Sequence, residues 1–121
     1  MHDFERAERI GAEMQRELAA LIRSEIKDPR LGMVTVQEVR VSRDLSHAKV
    51  FFTVLDDDKI KVSGEVLSHA AAFLRRRLGH QMKLRSVPRL HFTYDHSIED
   101  GQRLSALIDQ AVAGSNADRD D

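Results

Sequence analysis

The chain contains no cysteine among its 121 residues. This absence excludes disulfide bonds, zinc sites built on thiolates and cysteine nucleophiles, and it fits a reducing compartment. No apolar run approaches the roughly 20 residues that a membrane-spanning helix requires. The segment Met1–Arg6 is charged and lacks the apolar core of a signal peptide, so we expect a cytoplasmic protein.

Sequence motifs of enzymes are also missing. The six histidines form no HEXXH-type pair and have no clustered third ligand. The serines are not placed in a nucleophile elbow, and no glycine-rich loop could hold a phosphate. Asp56–Asp58 could offer carboxylates to a divalent cation, but consecutive acids in a loop point in different directions, and a solvated helix entry explains them better. We therefore expect no catalytic residue, no metal and no cofactor.

Aspartate and glutamate are absent from residues 66–94. Six of the 19 basic residues of the chain lie in this stretch, and none of its 20 acidic residues does. The remainder of the chain is therefore net negative, although the whole protein has a formal charge of only −1. Such segregation is typical of a polyanion-binding face, and nucleic acid is the first candidate. The basic residues are Arg75, Arg76, Arg77, Lys83, Arg85 and Arg89.

The first half of the chain has the pattern of a helix followed by a hairpin. Apolar residues spaced by three and four predict an amphipathic helix over residues 3–26, which the Pro29 turn terminates. A β-branched run over residues 33–42 predicts a strand. Its valines change phase near Gln37-Glu38, which indicates a bulge. A polar turn and the alternating residues 47–55 then predict an antiparallel hairpin.

The second half of the chain has the pattern of a helix, a strand and a last helix. An apolar stripe predicts a helix from Lys61 to Leu78 with Gly79 as its C-cap, and alternation over residues 87–94 predicts a third strand. A last helix is expected over residues 98–113, followed by a disordered polar tail, 114–121. The element order predicts an α+β sandwich with helices over one face of a small sheet.

This order resembles the type II KH fold. In KH domains a GXXG loop between the two central helices clamps single-stranded nucleic acid. Here the corresponding place holds Ala70-Ala71-Ala72, and no glycine lies between Gly64 and Gly79. The usual clamp is therefore missing.

A series of landmarks from about Arg6 to Leu107 is similar to the ribosome-binding factor A family (RbfA), which assists assembly of the small ribosomal subunit. No single landmark is diagnostic, but their joint order and spacing are specific. The landmarks are Glu25–Gly32, Ser42–Leu45 leading into Ala48–Val50, Phe73–Arg75 leading to Leu78-Gly79, and Val87–Asp95 followed by Ser97 and Ile98.

The resemblance implies one KH-like RNA-binding domain over residues 1–113, in the order α-β-β-α-kink-α-β with a C-terminal helix. In this family an Ala-X-Gly segment forms the kink in place of the GXXG loop. Ala70 and Ala71 fit its first two places, and Ala72 stands where glycine is usual. Alanine lacks the backbone freedom that glycine offers at a kink, which leaves the sharpness of the bend open.

The resemblance also implies a non-catalytic role in ribosome biogenesis. The expected partners are 16S rRNA and the free 30S subunit, with no membrane involved and with the protein as a monomer. The expected task is late maturation and processing of 16S rRNA, including its 5′ region, with adaptation of growth to cold. The alternative is a protein-interaction module whose basic face docks on an acidic protein partner.

The residues themselves rank the candidate RNA-binding sites. Consecutive arginines on a helix fan over about 200°, so at least two of Arg75–Arg77 should reach solvent. Lys83, Arg85 and Arg89 can extend that surface, and such phosphate contacts would confer little sequence specificity. Arg43 and Lys49, beside the hairpin turn, are weaker candidates, because exposed turn charge explains them better.

Phe51 lies opposite the apolar face of its strand and could stack a base. Burial under a helix or at a sheet edge is the more common role of such a residue.

Overall fold

The fold is α+β, and its order confirms the expected KH-like arrangement with a C-terminal helix. A computed structural model describes the backbone of residues 2–119 and the side chains of residues 4–97 and 99–112. The elements are α1 (His2–Glu25), β1 (Val34–Val41), β2 (His47–Val54), a short 3-10 turn (Asp57–Lys59), α2 (Ile60–His69), α3 (Ala71–Met82), β3 (Arg89–Tyr94) and α4 (Ser97–Arg119).

The three strands form one sheet in the order β1-β2-β3. β1 and β2 pair antiparallel, and their register shifts between Val36 and Glu38. This shift confirms the bulge that the change of valine phase indicated, because an extra residue returns Val39 and Val41 to the core side. β3 pairs parallel with β2, so the two helices α2 and α3 serve as the crossover between them.

The core lies between one face of the sheet and the helices α1, α2 and α3. β2 alternates strictly, with Ala48, Val50, Phe52 and Val54 buried and their neighbours on the opposite face. The apolar stripe of α1 packs against this side, and its deepest residues, Met14 and Leu18, are fully buried. The remaining helical core residues are Ile10, Leu21 and Ile22 from α1, Leu67 from α2, and Leu74 and Leu78 from α3.

Gly11 allows α1 to approach β1 closely. A β-carbon at this position would lie 2.5 Å from the carbonyl oxygen of Val39, which is a backbone atom of β1 and cannot rotate away. Nearby, the side-chain amide of Gln15 donates to the carbonyl of Val36 across 2.9 Å. The helix therefore rests directly on the backbone of the edge strand.

A buried hydroxyl connects the turn after α1 to α2. The N–H of Gly32 donates to Oγ of Ser63, whose side chain is completely buried. Within the same turn, Asp28 accepts from the backbone N–H of Arg30 and from its guanidinium, at 2.7 Å for the shortest contact. These hydrogen bonds lower the pKa of Asp28 to about 2, and they occupy the Arg30 guanidinium with a local partner.

The central helix is broken at Ala70, between α2 and α3. Ala70 has φ −87° and ψ 0°, close to helical values and accessible to any L-residue, so this break requires no glycine. Its N–H donates to the carbonyls of Val66 and Leu67, and its carbonyl accepts from Leu74. Ala72 lies one residue inside α3 rather than at the break itself.

Two helix ends differ from the sequence prediction. α3 continues through Gly79 to Met82, and its C-cap is Lys83 in a left-handed conformation (φ 53°), so the predicted cap at Gly79 was wrong. Gly79 instead permits close packing, because a β-carbon there would lie 3.1 Å from a methyl group of Val87. The role of glycine at position 79 is therefore its small size, which makes room for Val87, and not its backbone freedom.

α4 extends beyond the predicted end near Ala113, and its backbone is helical up to Arg119. Residues 114–119, expected as a disordered tail, continue this helix without a proline to stop it, while Asp120 and Asp121 lie outside the described residues. The apolar residues predicted for its face are more than half exposed: Leu104, Leu107, Ile108 and Val112. No described helix has the length and apolarity needed to span a bilayer.

Candidate nucleic-acid interface

The acid-free stretch runs from the last turn of α2 through α3 and the link 83–88 to the strand β3. Since α3 packs against α1 and β3, only part of its circumference faces solvent. Leu74 and Leu78 fill the inner side and are fully buried. The arginine triplet between them therefore has three different surroundings, which the sequence alone could not assign.

Arg75 is engaged by the fold. Its Nη2 donates to the carbonyl of Val87 at 2.7 Å, and its Nε donates to the carbonyl of Pro88 at 3.2 Å. Pro88 is among the fully buried side chains. The partly buried Arg75 thus ties α3 to the segment that enters β3, and its guanidinium is oriented by two backbone acceptors.

Arg76 and Arg77 are both exposed, as the helical fan requires. Arg77 lies 3.3 Å from Glu25 at the end of α1, and both side chains remain substantially exposed, at 44% and 37%. An exposed pair of this kind is weak and readily exchanged for another anion. Within the described part of the chain, no ion pair involves Arg76.

The exit of α3 continues the positive surface. Lys83 and Arg85 are exposed in the link, and Arg89 is exposed at the first position of β3. The N–H of Arg89 donates to the carbonyl of Ser46 at 2.9 Å, which fixes the start of β3 beside the hairpin turn. We group the exposed basic side chains of this stretch as the helical basic surface: Arg76, Arg77, Lys83 and Arg85, with Arg89 at its end.

The hairpin turn is organised around Asp44. Its carboxylate accepts from the hydroxyls of Ser42 and Ser46 at 2.7 Å each and from the N–H of Ser46 at 3.1 Å. These hydrogen bonds, that of Ser42 first, lower the pKa of Asp44 to about 2. Leu45 completes the turn with a left-handed conformation, φ 62°.

Arg43 is exposed in the turn but does not join the helical basic surface. It lines a separate groove of about 670 Å³ between α1 and β1, which also includes Arg16 and Arg40. Glu8 and Glu38 line the same groove, so its charge is mixed. None of the arginines of α3 contributes to it.

Lys49 lies on the side of the sheet that the helices leave open. The strand register places it between Arg40 of β1 and His91 of β3. Its ammonium is 5.8 Å from the ring centroid of Phe51, and the Arg40 guanidinium is 5.2 Å from the same centroid. Sequence reasoning missed Arg40, although strand alternation with the bulge places it on the same face as Lys49.

Two histidines meet on this face. Nδ1 of His47 lies 3.0 Å from Nε2 of His91, and the ring centroids are 5.2 Å apart. At this distance a ring N–H of one histidine can donate to the ring nitrogen of the other. Among residues 2–119, no group of three or more histidines and carboxylates is positioned to hold a metal ion.

Comparison with known proteins places these features in a family. A sequence profile described as Ribosome-binding factor A matches residues 6–108. Ribosome-binding factor A of Thioalkalivibrio sulfidiphilus is 60% identical, covering 98% of this chain and 93% of that protein. The protein of the same name from Ectopseudomonas mendocina is 58% identical, over 98% and 95% of the two chains.

Solved structures agree with the sequence comparison. The crystal structure of ribosome-binding factor A from Thermus thermophilus superimposes with a TM-score of 0.66 and 31% identity, over 73% of this chain and 94% of that chain. A homology model of the Thermus protein, fitted into a cryo-electron microscopy map of its 30S complex, gives a TM-score of 0.62 at 31% identity, over 71% and 91%. This chain therefore belongs to the ribosome-binding factor A family.

Proposed function

We propose that this protein is a non-catalytic assembly factor that binds the free 30S ribosomal subunit through 16S rRNA. The observation that carries the proposal is the helical basic surface, in which Arg76, Lys83 and Arg85 are exposed on the acid-free stretch. Family membership supports the choice of rRNA among polyanions, because the related Thermus protein was fitted into a map of its 30S complex. The protein would act in late maturation of 16S rRNA, including its 5′ region.

Electrostatics define the expected behaviour of this contact. Each rRNA phosphate neutralised by an arginine or lysine releases condensed counterions, so affinity falls steeply as salt rises. Such contacts position a protein on the backbone and read little sequence. Recognition would therefore depend on the shape of the rRNA in the immature subunit.

Sedimentation of the free subunit with two matched triple variants tests the proposal. One variant reverses three charges of the helical basic surface, and the other reverses three exposed charges elsewhere, so both change the net charge equally. The test variant is Arg76→Glu, Lys83→Glu and Arg85→Glu; the control is Arg23→Glu, Lys61→Glu and Arg103→Glu.

We expect the wild type and the control to sediment with the free 30S subunit at low salt and the test variant to remain at the top of the gradient. Equal retention of both variants would remove the helical basic surface from the interface. In a competition experiment, an excess of naked 16S rRNA should displace the wild-type protein from the subunit. Failure of the rRNA to displace it would instead favour docking on an acidic protein.

The maturation role has its own measurement. In cells lacking the protein, primer extension should detect 16S rRNA with unprocessed 5′ ends, and the defect should be larger at low temperature. The wild-type gene should restore processing, and the triple variant of the helical basic surface should not. Normal 5′ ends in the deletion strain would contradict this role.

A further inference from the structure

The side of the sheet opposite the helices is exposed and combines an aromatic ring with cations. Phe51 is partly exposed and lies outside the hydrophobic core cluster. Among the described residues, α1, α2 and α3 pack on the other side, and the described side chains of α4 beyond residue 98 are all exposed. We call this side the open sheet face, and it comprises Arg40, His47, Lys49, Phe51, Arg89 and His91, together with Glu38, which lies opposite Phe51 in the strand register.

We infer that the open sheet face binds single-stranded RNA, with Phe51 as a stacking platform for one base and the surrounding cations as phosphate contacts. This inference rests on the proposed function and adds a second contact surface to it. It commits to RNA because Arg40 and Lys49 flank the partly exposed ring of Phe51, and stacking with phosphate contact is how proteins hold single strands.

The arrangement around Phe51 is ready for such a ligand. Arg40 and Lys49 both lie within about 6 Å of the ring centroid, the range of cation–π attraction. Glu38 holds Arg40 in this place, with its carboxylate 3.0 Å from Nε of Arg40. The Arg40 side chain is 68% exposed. A base that stacks on Phe51 would displace the cations only to the ring edge, where its phosphates would meet them.

The histidine pair provides a second flat surface at a suitable separation. His91 is paired with Lys49, so it lies one strand across and two residues along from Phe51. Standard strand geometry puts these positions roughly 8 Å apart, a distance that neighbouring nucleotides of an unstacked strand can span. His47 and Arg89 lie in the next row and extend the basic end of the face.

The charge of the open sheet face differs between its two ends. A pocket of about 380 Å³ at one end is lined by Arg40, His47, Lys49 and His91 and suits phosphates. A pocket of about 320 Å³ on the other side of Phe51 includes Glu38, Asp95 and Asp100. Carboxylates there repel phosphates but accept hydrogen bonds from the amino groups of a stacked base.

The chain has no tryptophan, so Phe51→Trp introduces a unique fluorescent probe at the platform. We expect a single-stranded oligoribonucleotide to quench this fluorescence saturably, and a duplex of the same sequence to quench it much less. Leu55→Trp is the matched control, because Leu55 is 73% exposed just beyond the same strand. Equal quenching by the duplex or by polyglutamate, or equal quenching at both positions, would overturn the inference.

Affinity for the free 30S subunit gives the second readout. Phe51→Leu should weaken binding roughly 5- to 150-fold, the loss expected for one base–aromatic stack, and Phe51→Tyr should retain it. Leu55→Ala should leave the affinity unchanged, and thermal unfolding should show that each variant folds. If wild type binds the subunit and Phe51→Leu binds equally well, the sheet-face inference alone fails. If wild type does not bind, the proposed function fails, while the tryptophan titration still decides whether this face takes RNA.

Discussion

Single alanine substitutions of Arg75, Arg76 and Arg77 should separate stability from binding within one sequence triplet. Arg75 donates to the carbonyls of Val87 and Pro88, so Arg75→Ala removes a link between α3 and β3. Arg77 has one exposed partner, Glu25. Arg76 is exposed, and no hydrogen bond of its side chain is found in the part of the chain that the structure describes.

The geometry sets the magnitudes. Hydrogen bonds from a charged donor contribute about 1.5–3 kcal/mol, but the Nε contact of Arg75 is long at 3.2 Å and the side chain is only partly buried. We therefore expect Arg75→Ala to lower the free energy of unfolding by about 1–3 kcal/mol. The exposed Arg77–Glu25 pair should contribute no more than about 1 kcal/mol, and Arg76→Ala should change stability by about 0.5 kcal/mol or less.

Affinity for 16S rRNA should follow the opposite order. Arg76→Ala should weaken binding most at low salt and lower the slope of log affinity against log salt by about 1, the change expected for one lost phosphate contact. Arg75→Ala should bind close to wild type wherever it is folded. Arg75→Lys keeps the charge but not the two-pronged geometry, so it should recover only part of the stability that Arg75→Ala loses, with rRNA affinity unchanged.

Urea unfolding followed by circular dichroism, together with rRNA titrations at several salt concentrations, measures both quantities on the same samples. The reasoning would be refuted by an Arg75→Ala variant of wild-type stability that has lost rRNA affinity. It would equally be refuted by an Arg76→Ala variant that unfolds at much lower urea. The first result would mean that the hydrogen bonds of Arg75 do not hold the fold together, and the second that Arg76 makes a stabilising contact.

Four further substitutions test the architecture. Gly11→Ala should destabilise the protein by about 1–2 kcal/mol despite a better helix propensity, because the new β-carbon meets the Val39 carbonyl. Gly64→Ala places its β-carbon at an ordinary distance from Phe52, so it should stabilise the protein by up to about 1 kcal/mol. Urea unfolding of both variants measures the two effects. Ala72→Gly should cost up to about 1 kcal/mol and leave rRNA affinity unchanged, because the break is at Ala70; tighter binding would show that a glycine-dependent kink matters. The pKa of Asp44 is lowered from 3.8 to about 2, so its contribution to stability is complete above about pH 4 and is lost as the pH falls to about 2. Asp44→Asn removes up to about one proton taken up on unfolding, so the melting temperature should depend less on pH between about pH 4 and pH 2. An unchanged pH dependence would contradict the lowered pKa of Asp44.

Local patterns in the sequence were sufficient for most of the fold. The phase change of the valines located the bulge because strand side chains alternate strictly, so one extra residue has to reverse the pattern. The helix cap at Gly79 failed for a tertiary reason. Contact with Val87 requires a small residue at position 79 inside the helix, and α3 then ends at Lys83 although a lysine is unusual in that conformation.

The candidate site was harder to predict because identical residues have different partners. Nothing local distinguishes Arg75 from Arg76, and only the packing of β3 against α3 brings two carbonyl acceptors to Arg75. Arg40 and the histidine pair were missed for a related reason. Strands β2 and β3 are separated by two helices in sequence, so their parallel register, which brings His47 beside His91, is a property of the assembled sheet.

Arg89 connects the two surfaces that we assign to RNA. It is the last arginine of the acid-free stretch that began in the helices, and it is also the first residue of β3, in register with His47 on the open sheet face. The carbonyls immediately before it hold Arg75, and its own N–H holds the hairpin turn through Ser46. A single strand that leaves α3 along the link would therefore reach the open sheet face at Arg89. Negative charge on this side lies beside and beyond Phe51, at Glu38, Asp95 and Asp100, where a stacked base rather than a phosphate would lie.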